Sequence, residues 1–119
     1  MERLVARVKS ARELPALLSA LEELEATLSG HFLREESPQG LHGLVSRRAP
    51  EFQSAFDRLM KEHDGFRRGI ASIAERVRRG EGGEAVEAAA RLAADLKEHE
   101  LRENEIARAA LDPHRAAAR

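Results

Sequence analysis

The sequence predicts an all-α protein, an antiparallel up-down helical bundle of three long helices preceded by a short N-terminal segment. Three observations carry this. Apolar residues recur at alternating three- and four-residue steps through three long stretches, the spacing of one face of a helix. Alanine, leucine, glutamate and arginine dominate, a mix rich in helix formers and poor in β-branched residues. Prolines stand only at positions 15, 38, 50 and 113, at the edges of those stretches. With 119 residues, 42% hydrophobic and 34% charged, the chain makes one domain, 1–119, with a single core.

Leu4, Val5 and Val8 make a weak amphipathic turn or two that ends near Ser10. The first long helix spans about 13–36. Pro15 is tolerated in its first turn, where a missing N–H is no loss, and Leu14, Leu17, Leu18, Leu21, Leu24 and Leu28 form its stripe. Ser37-Pro38-Gln39-Gly40 stops it, and 37–48 reads as a loop with one helical turn at Leu41, Leu44 and Val45. Ala49-Pro50-Glu51 opens a second helix, about 50–79, whose seam is Phe52, Phe56, Leu59, His63, Phe66, Ile70, Ile73 and Val77. Gly80-Glu81-Gly82-Gly83 is a short reversal. The third helix, about 84–110, has the seam Val86, Ala89, Leu92, Leu96, His99, Glu103, Ile106 and Ala110, and Asp112-Pro113 ends it. Residues 114–119 read as a frayed tail.

Five side chains stand where these seams should be apolar. His31 and Glu35 continue the leucine stripe of the first helix, His63 interrupts the second seam, and His99 and Glu103 interrupt the third. A buried, unpaired polar group costs a few kcal/mol, roughly, and an unpaired carboxylate far more. Groups of this kind on three helices need a common partner, and a metal ion is the simplest. The i, i+4 spacing of His31/Glu35 and of His99/Glu103 puts each pair on one helix face. At 1.5 Å per residue His63 and His99 lie within about one turn of each other across the reversal, whereas His31 is offset by roughly 12 Å. That offset requires segment 37–48 to climb beside the start of the second helix, with Leu41, Leu44 and Val45 against Phe52 and Phe56.

The segments His31-Phe32-Leu33-Arg34-Glu35-Glu36, Glu62-His63-Asp64 and His99-Glu100-Leu101-Arg102-Glu103-Asn104, in this order and spacing, resemble the hemerythrin-like, or HHE cation-binding, domains over about residues 14–110. The resemblance implies an up-down bundle holding a non-haem di-iron centre through histidines and bridging carboxylates. His31, Glu35, His63, His99 and Glu103 would be the ligands, with Glu35 and Glu103 the bridges. It also implies a role in sensing or storing the metal, oxygen or nitric oxide. The departures are specific. No histidine precedes residue 31, and Leu59 and Arg67 stand one turn from His63, where some members carry a second ligand. Three histidines and two glutamates are too few for a full di-iron centre, so reversible oxygen carriage is not expected. The site then holds one ion or two completed by water, is completed by a second subunit covering the open side of a three-helix protomer, or has decayed into a polar core.

Three imidazoles and two carboxylates suit iron, manganese, zinc or cobalt better than calcium or magnesium. Glu36, Glu62 and Glu100 are near enough in sequence to bond the free ring nitrogens, although none lies clearly on a seam and glutamates are mostly solvated. His42 reads as an exposed loop residue and His114 as part of the tail.

Composition argues against other classes. The net charge is −1 with acids and bases interspersed, and the arginines at 67–68 and 76–79 lack aromatic interleaving, so neither nucleic acid nor an anionic membrane is an expected partner. No apolar run approaches the ~20 residues of a membrane span, and Met1-Glu2-Arg3-Leu4 lacks a signal-peptide core. The absence of cysteine excludes thiolate sites and fits a reducing compartment, so a cytoplasmic protein is expected. No nucleophile in a strained turn and no phosphate loop point to an enzyme, and a histidine phosphotransfer module would need an exposed histidine where His31 lies on the buried stripe. The expectation is an iron-binding, non-enzymatic homodimer. The alternative is a metal-free helical interaction or dimerisation module with a degenerate site.

Overall fold

The computed structural model describes residues 2–113. His114, read above as part of the tail, lies outside the described residues. Five helices follow one another: α1 (Glu2–Ser10), α2 (Leu14–Glu36), α3 (Leu41–Arg48), α4 (Gln53–Arg78) and α5 (Gly82–Leu111), with a 3-10 turn at Pro50–Phe52 leading into α4. The three long helices fall within a few residues of their predicted bounds.

Local chemistry explains the ends. Pro15 sits in the first turn of α2 and Pro50 in the turn that precedes α4. The α4–α5 reversal is tighter than expected. Gly80 takes φ +81°; its N–H bonds the Val77 carbonyl and the Glu81 N–H the Arg76 carbonyl. This is the Schellman closure, which places its pivot residue in the left-handed region that glycine tolerates. Gly82 and Gly83 are thereby released to begin α5.

Two segments differ from expectation. The N-terminal segment is a full helix, and Val5 and Val8 are buried. It packs on α2 and α5, while α4 packs on the same two helices from the other side. The bundle therefore has four corners, with α2 and α5 across one diagonal. The open side of a three-helix protomer, which prompted the expectation of a second subunit, is covered by α1 along the Val5–Val8 level. Segment 37–48 holds the two-turn helix α3 and not a single turn. It climbs as the offset of His31 required: Val45 and Ala49 are buried with Phe56, Leu59, Ile106 and Ala110, and Leu41, Leu44 and Phe52 pack beside them. His42 is half-buried, its ring 6.0 Å from that of Phe56, and does not stand free in a loop.

Gly43 is the close approach that seats α3. A Cβ there would lie 1.8 Å from the Pro38 carbonyl oxygen. Gly43→Ala is expected to lower stability by about 1–3 kcal/mol through this overpacking, read as a lower urea midpoint with an unchanged helical spectrum at zero denaturant.

The core is consequently in two parts. The larger lies among α1, α2, α4 and α5, built on Leu17, Leu21, Leu24, Leu28, Ile70 and Leu96, each essentially without solvent contact. Burying a leucine contributes roughly 1.5–3 kcal/mol, so this part anchors the bundle. The smaller part is the α3–α4–α5 cluster at the other end. Between them lies a polar layer, whose buried members are Glu35, His63, His99 and Glu103.

Candidate metal centre

The polar layer contains all five residues singled out from the seams. Each long helix keeps its 3.6-residue period through the layer, so the five side chains point inward as the apolar ones do. Glu35, His63, His99 and Glu103 are 6%, 1%, 0% and 5% exposed. His31 is different: its side chain is 35% exposed.

The two carboxylates span the layer. Glu35 sets one oxygen 3.0 Å from His31 Nε2 and the other 3.5 Å from His63 Nε2. Glu103 sets Oε1 3.7 Å from His31 Nε2 and Oε2 3.2 Å from His99 Nε2. Each glutamate thus turns one oxygen to His31 and the other to the His63/His99 pair. Ligand atoms of His63, His99 and Glu103 lie within 4.8 Å of one another, and so do those of His31, Glu35 and Glu103. Glu103 belongs to both groups.

The outer nitrogens of the buried rings are held by acids. His63 Nδ1 donates to Glu36 Oε2 at 2.9 Å, and His99 Nδ1 donates to Glu62 Oε1 at 2.8 Å. A carboxylate at Nδ1 fixes the tautomer and turns the Nε2 lone pair inward, the arrangement that outer partners give metal-ligating histidines. Glu36 and Glu62 are therefore partners of the layer rather than solvated acids, while Glu100 bonds neither ring. Arg67, standing where a second ligand on α4 would be, lies 3.8 Å from Glu36 and 3.6 Å from Asp64, and its guanidinium is 5.4 Å from the Phe32 ring centre. It steadies the acid that holds His63.

Phe32 and Phe66 wall the layer. Phe32 stacks on His63 with ring centres 3.6 Å apart and planes 5° from parallel, and Phe66 meets His99 edge-on at 5.1 Å. Phe66 lies on its predicted seam, whereas Phe32 stands outside the predicted stripe of its helix. Its signal was the i, i+4 step from Leu28, which continues the stripe as well as the step to His31 does.

Despite these contacts, His63 Nε2, His99 Nε2, Glu35 Oε1 and Glu103 Oε2 are buried and make no hydrogen bond. Orphaned buried polar atoms are costly, and here all four face one another across a layer of a few ångströms. Nitrogen and carboxylate donors of this kind, acceptors once deprotonated, fit a divalent transition metal. Two glutamates also supply the charge that makes its burial tolerable.

Protons offset part of the charge gathered in the layer. The carboxylates of Glu103 and then Glu35, facing His31 Nε2, favour its protonated form and push it up to about 10. Burial pushes the Glu35 carboxyl up to about 7, and the proton it then carries can be donated to Glu103. Burial also opposes the charge of Glu103, but His31, His99 and Glu35 facing it hold it well below the usual carboxylate range. Burial pushes His63 down, against the Glu36 contact. For His99 burial is outweighed by Glu103 and Glu62, which raise it.

The family model described as hemerythrin HHE cation binding domain matches residues 1–111. The match takes in α1, which the resemblance read from the motifs left outside. No curated protein and no solved structure gives a match.

Proposed function

The chain belongs to the hemerythrin HHE cation-binding domain family, and from that premise we propose that its polar layer is a non-haem metal centre for iron, with manganese or zinc as substitutes. The supporting observation is the set of orphaned Nε2 and carboxylate oxygen atoms facing one another inside the bundle. His63 and His99 would hold one ion and His31 a second, with Glu35 and Glu103 between them. Bound iron would supply redox chemistry and an affinity for small diatomic molecules. The protein residues aim Nε2 of His63 and His99 inward through the acids at Nδ1, exclude water on the Phe32 and Phe66 sides, and leave access on the His31 side. This arrangement suits sensing or storage of the metal, oxygen or nitric oxide better than turnover of an organic substrate. Among the described residues no helix is long and apolar enough to cross a membrane.

Metal content tests the reading. Protein grown with added iron and purified without chelator or histidine tag should carry one to two ions per chain by plasma mass spectrometry, and a His31→Ala/His99→Ala variant should carry none. Absence from both, with thermal stability unchanged on adding iron, manganese or zinc, would favour a metal-free interaction module.

The acids behind the rings offer a graded test. Glu62→Ala leaves the buried His99 Nδ1–H without its acceptor, so metal affinity is expected to fall roughly 10- to 100-fold, the usual consequence of losing such a partner. Competition with a chromophoric chelator measures it.

A further inference from the structure

The acids behind the two buried rings do not stand alone. Glu36 reaches from the end of α2 to α4, where its Oε2 accepts from His63 Nδ1 at 2.9 Å and lies 3.8 Å from Arg67 Nη2. Glu62 reaches from α4 to α5, where its Oε1 accepts from His99 Nδ1 at 2.8 Å and from Arg102 Nη2 at 3.4 Å. In both places the arginine meets the same oxygen that accepts the ring N–H. In both it also follows its histidine by about one turn on the same helix. A unit of histidine, acid and arginine is thus built twice, from different helices. His31, the open member of the layer, has its two acid contacts at Nε2 instead.

An arginine on that oxygen changes what the acid does to the ring. A carboxylate at Nδ1 draws on the ring proton and strengthens Nε2 as a donor to a metal. A guanidinium on the same oxygen draws charge from it and so moderates that pull. Neither arginine can itself be a ligand, since a guanidinium has no lone pair to give. The side chains of Arg67 and Arg102 are 38% and 49% exposed, so water and salt screen their direct field at the layer. The acid is the route by which they reach the rings. Arg67 is steadied further by Asp64 at 3.6 Å and by the face of Phe32, which stacks on His63.

We propose that Arg67 and Arg102 are positioning residues of the metal centre, setting the donor strength of His63 and His99 by moderating Glu36 and Glu62. The inference rests on the metal-centre reading above. It goes beyond that reading in giving each buried imidazole a setting that can change without touching a ligand.

Zinc binding to the full chain tests it, read by chelator competition and by the Nδ1–H proton resonances of His63 and His99 in the zinc-loaded protein. Arg102→Gln should move the His99 resonance downfield and leave that of His63 in place, and Arg67→Gln should do the reverse. Each should raise zinc affinity about three- to tenfold, short of the roughly 10- to 100-fold carried by the acid itself. Arg102→Lys, which keeps the charge, should stay near the wild type in both readouts. In a Glu62→Gln background the amide oxygen still accepts from the ring but has no charge to moderate, so Arg102→Gln should change neither readout there. The proposal is overturned if an arginine variant leaves the resonance of its own ring in place, or lowers zinc affinity as the loss of a merely structural contact would. It is likewise overturned if Arg102→Gln acts as strongly without the Glu62 charge, since a direct field would then explain the effect. No zinc uptake by the wild type would instead remove the metal-centre reading itself, and this inference with it.

Discussion

Glu103→Gln is expected to be the most damaging single substitution in this protein, with and without metal. Glu103 is the one side chain common to both groups of donor atoms, so a neutral amide there weakens both ions at once. The loss of metal affinity should exceed the roughly 10- to 100-fold that removal of an outer partner produces. In the metal-free protein the same carboxylate faces His31 on one side and the buried His99 on the other. Removing one partner of a buried ion pair costs about 3–5 kcal/mol; the lower end applies here because His31 is a third exposed and therefore screened. Urea unfolding of the metal-free variant should show a deficit of about 3 kcal/mol. Glu105→Gln, on the exposed face of the same helix, should stay within about 0.5 kcal/mol of the wild type. If Glu103→Gln unfolds like Glu105→Gln, the layer is not held by charge.

Metal uptake near neutral pH is expected to release at least one proton per chain. His31, raised to about 10, carries a proton at pH 7, and Glu35, raised to about 7, carries part of another. Both must leave before those atoms can bind a cation. Apparent affinity should therefore climb about tenfold per pH unit between roughly pH 7 and 10, where displacement of the His31 proton limits binding. Calorimetry in buffers of different ionisation enthalpy counts the protons.

The same shifts set the stability profile of the metal-free form. The contribution of His31 is complete below 6.5 and is lost as pH rises through 10. Glu35, also raised, favours the folded state below 4.5 and loses that contribution as pH rises towards 7. Acting against acid, depressed Glu103 contributes above 4.5 and loses this as pH falls, and depressed His63 resists protonation below 6.5. Metal-free protein should thus be most stable in mildly acidic solution and weaken towards pH 10. The metal-loaded form should lack that alkaline decline. Thermal melts of the two forms across pH 4–10 would show it, and coincident profiles would count against proton-for-metal exchange.

Much of this was legible in the sequence because its causes are local. The leucine stripe from Leu14 to Leu28, the proline-marked helix starts and the Gly80 reversal depend on neighbours within one or two turns. A helix that keeps its period must carry His31, Glu35, His63, His99 and Glu103 to the same side as the leucines. The offset of His31 along the bundle even required a climbing segment, and α3 is that segment. What could not be read was whatever depends on which surface meets which. Val5 and Val8 look like a stray turn until α2 and α5 present them with a groove. Glu36 and Glu62 look like solvated acids until a histidine ring from another helix points at each.

Residue spacing alone accounts for the three long helices and the five inward-facing donors, because it sets the direction of each side chain on a helix. That α1 is the fourth helix, that acids from neighbouring helices hold the rings, and that the layer is open beside His31 emerge only in the assembled bundle. Those outcomes depend on how far one helix slides and turns against the next, and that is set by the packing of whole faces, not by any local run of residues.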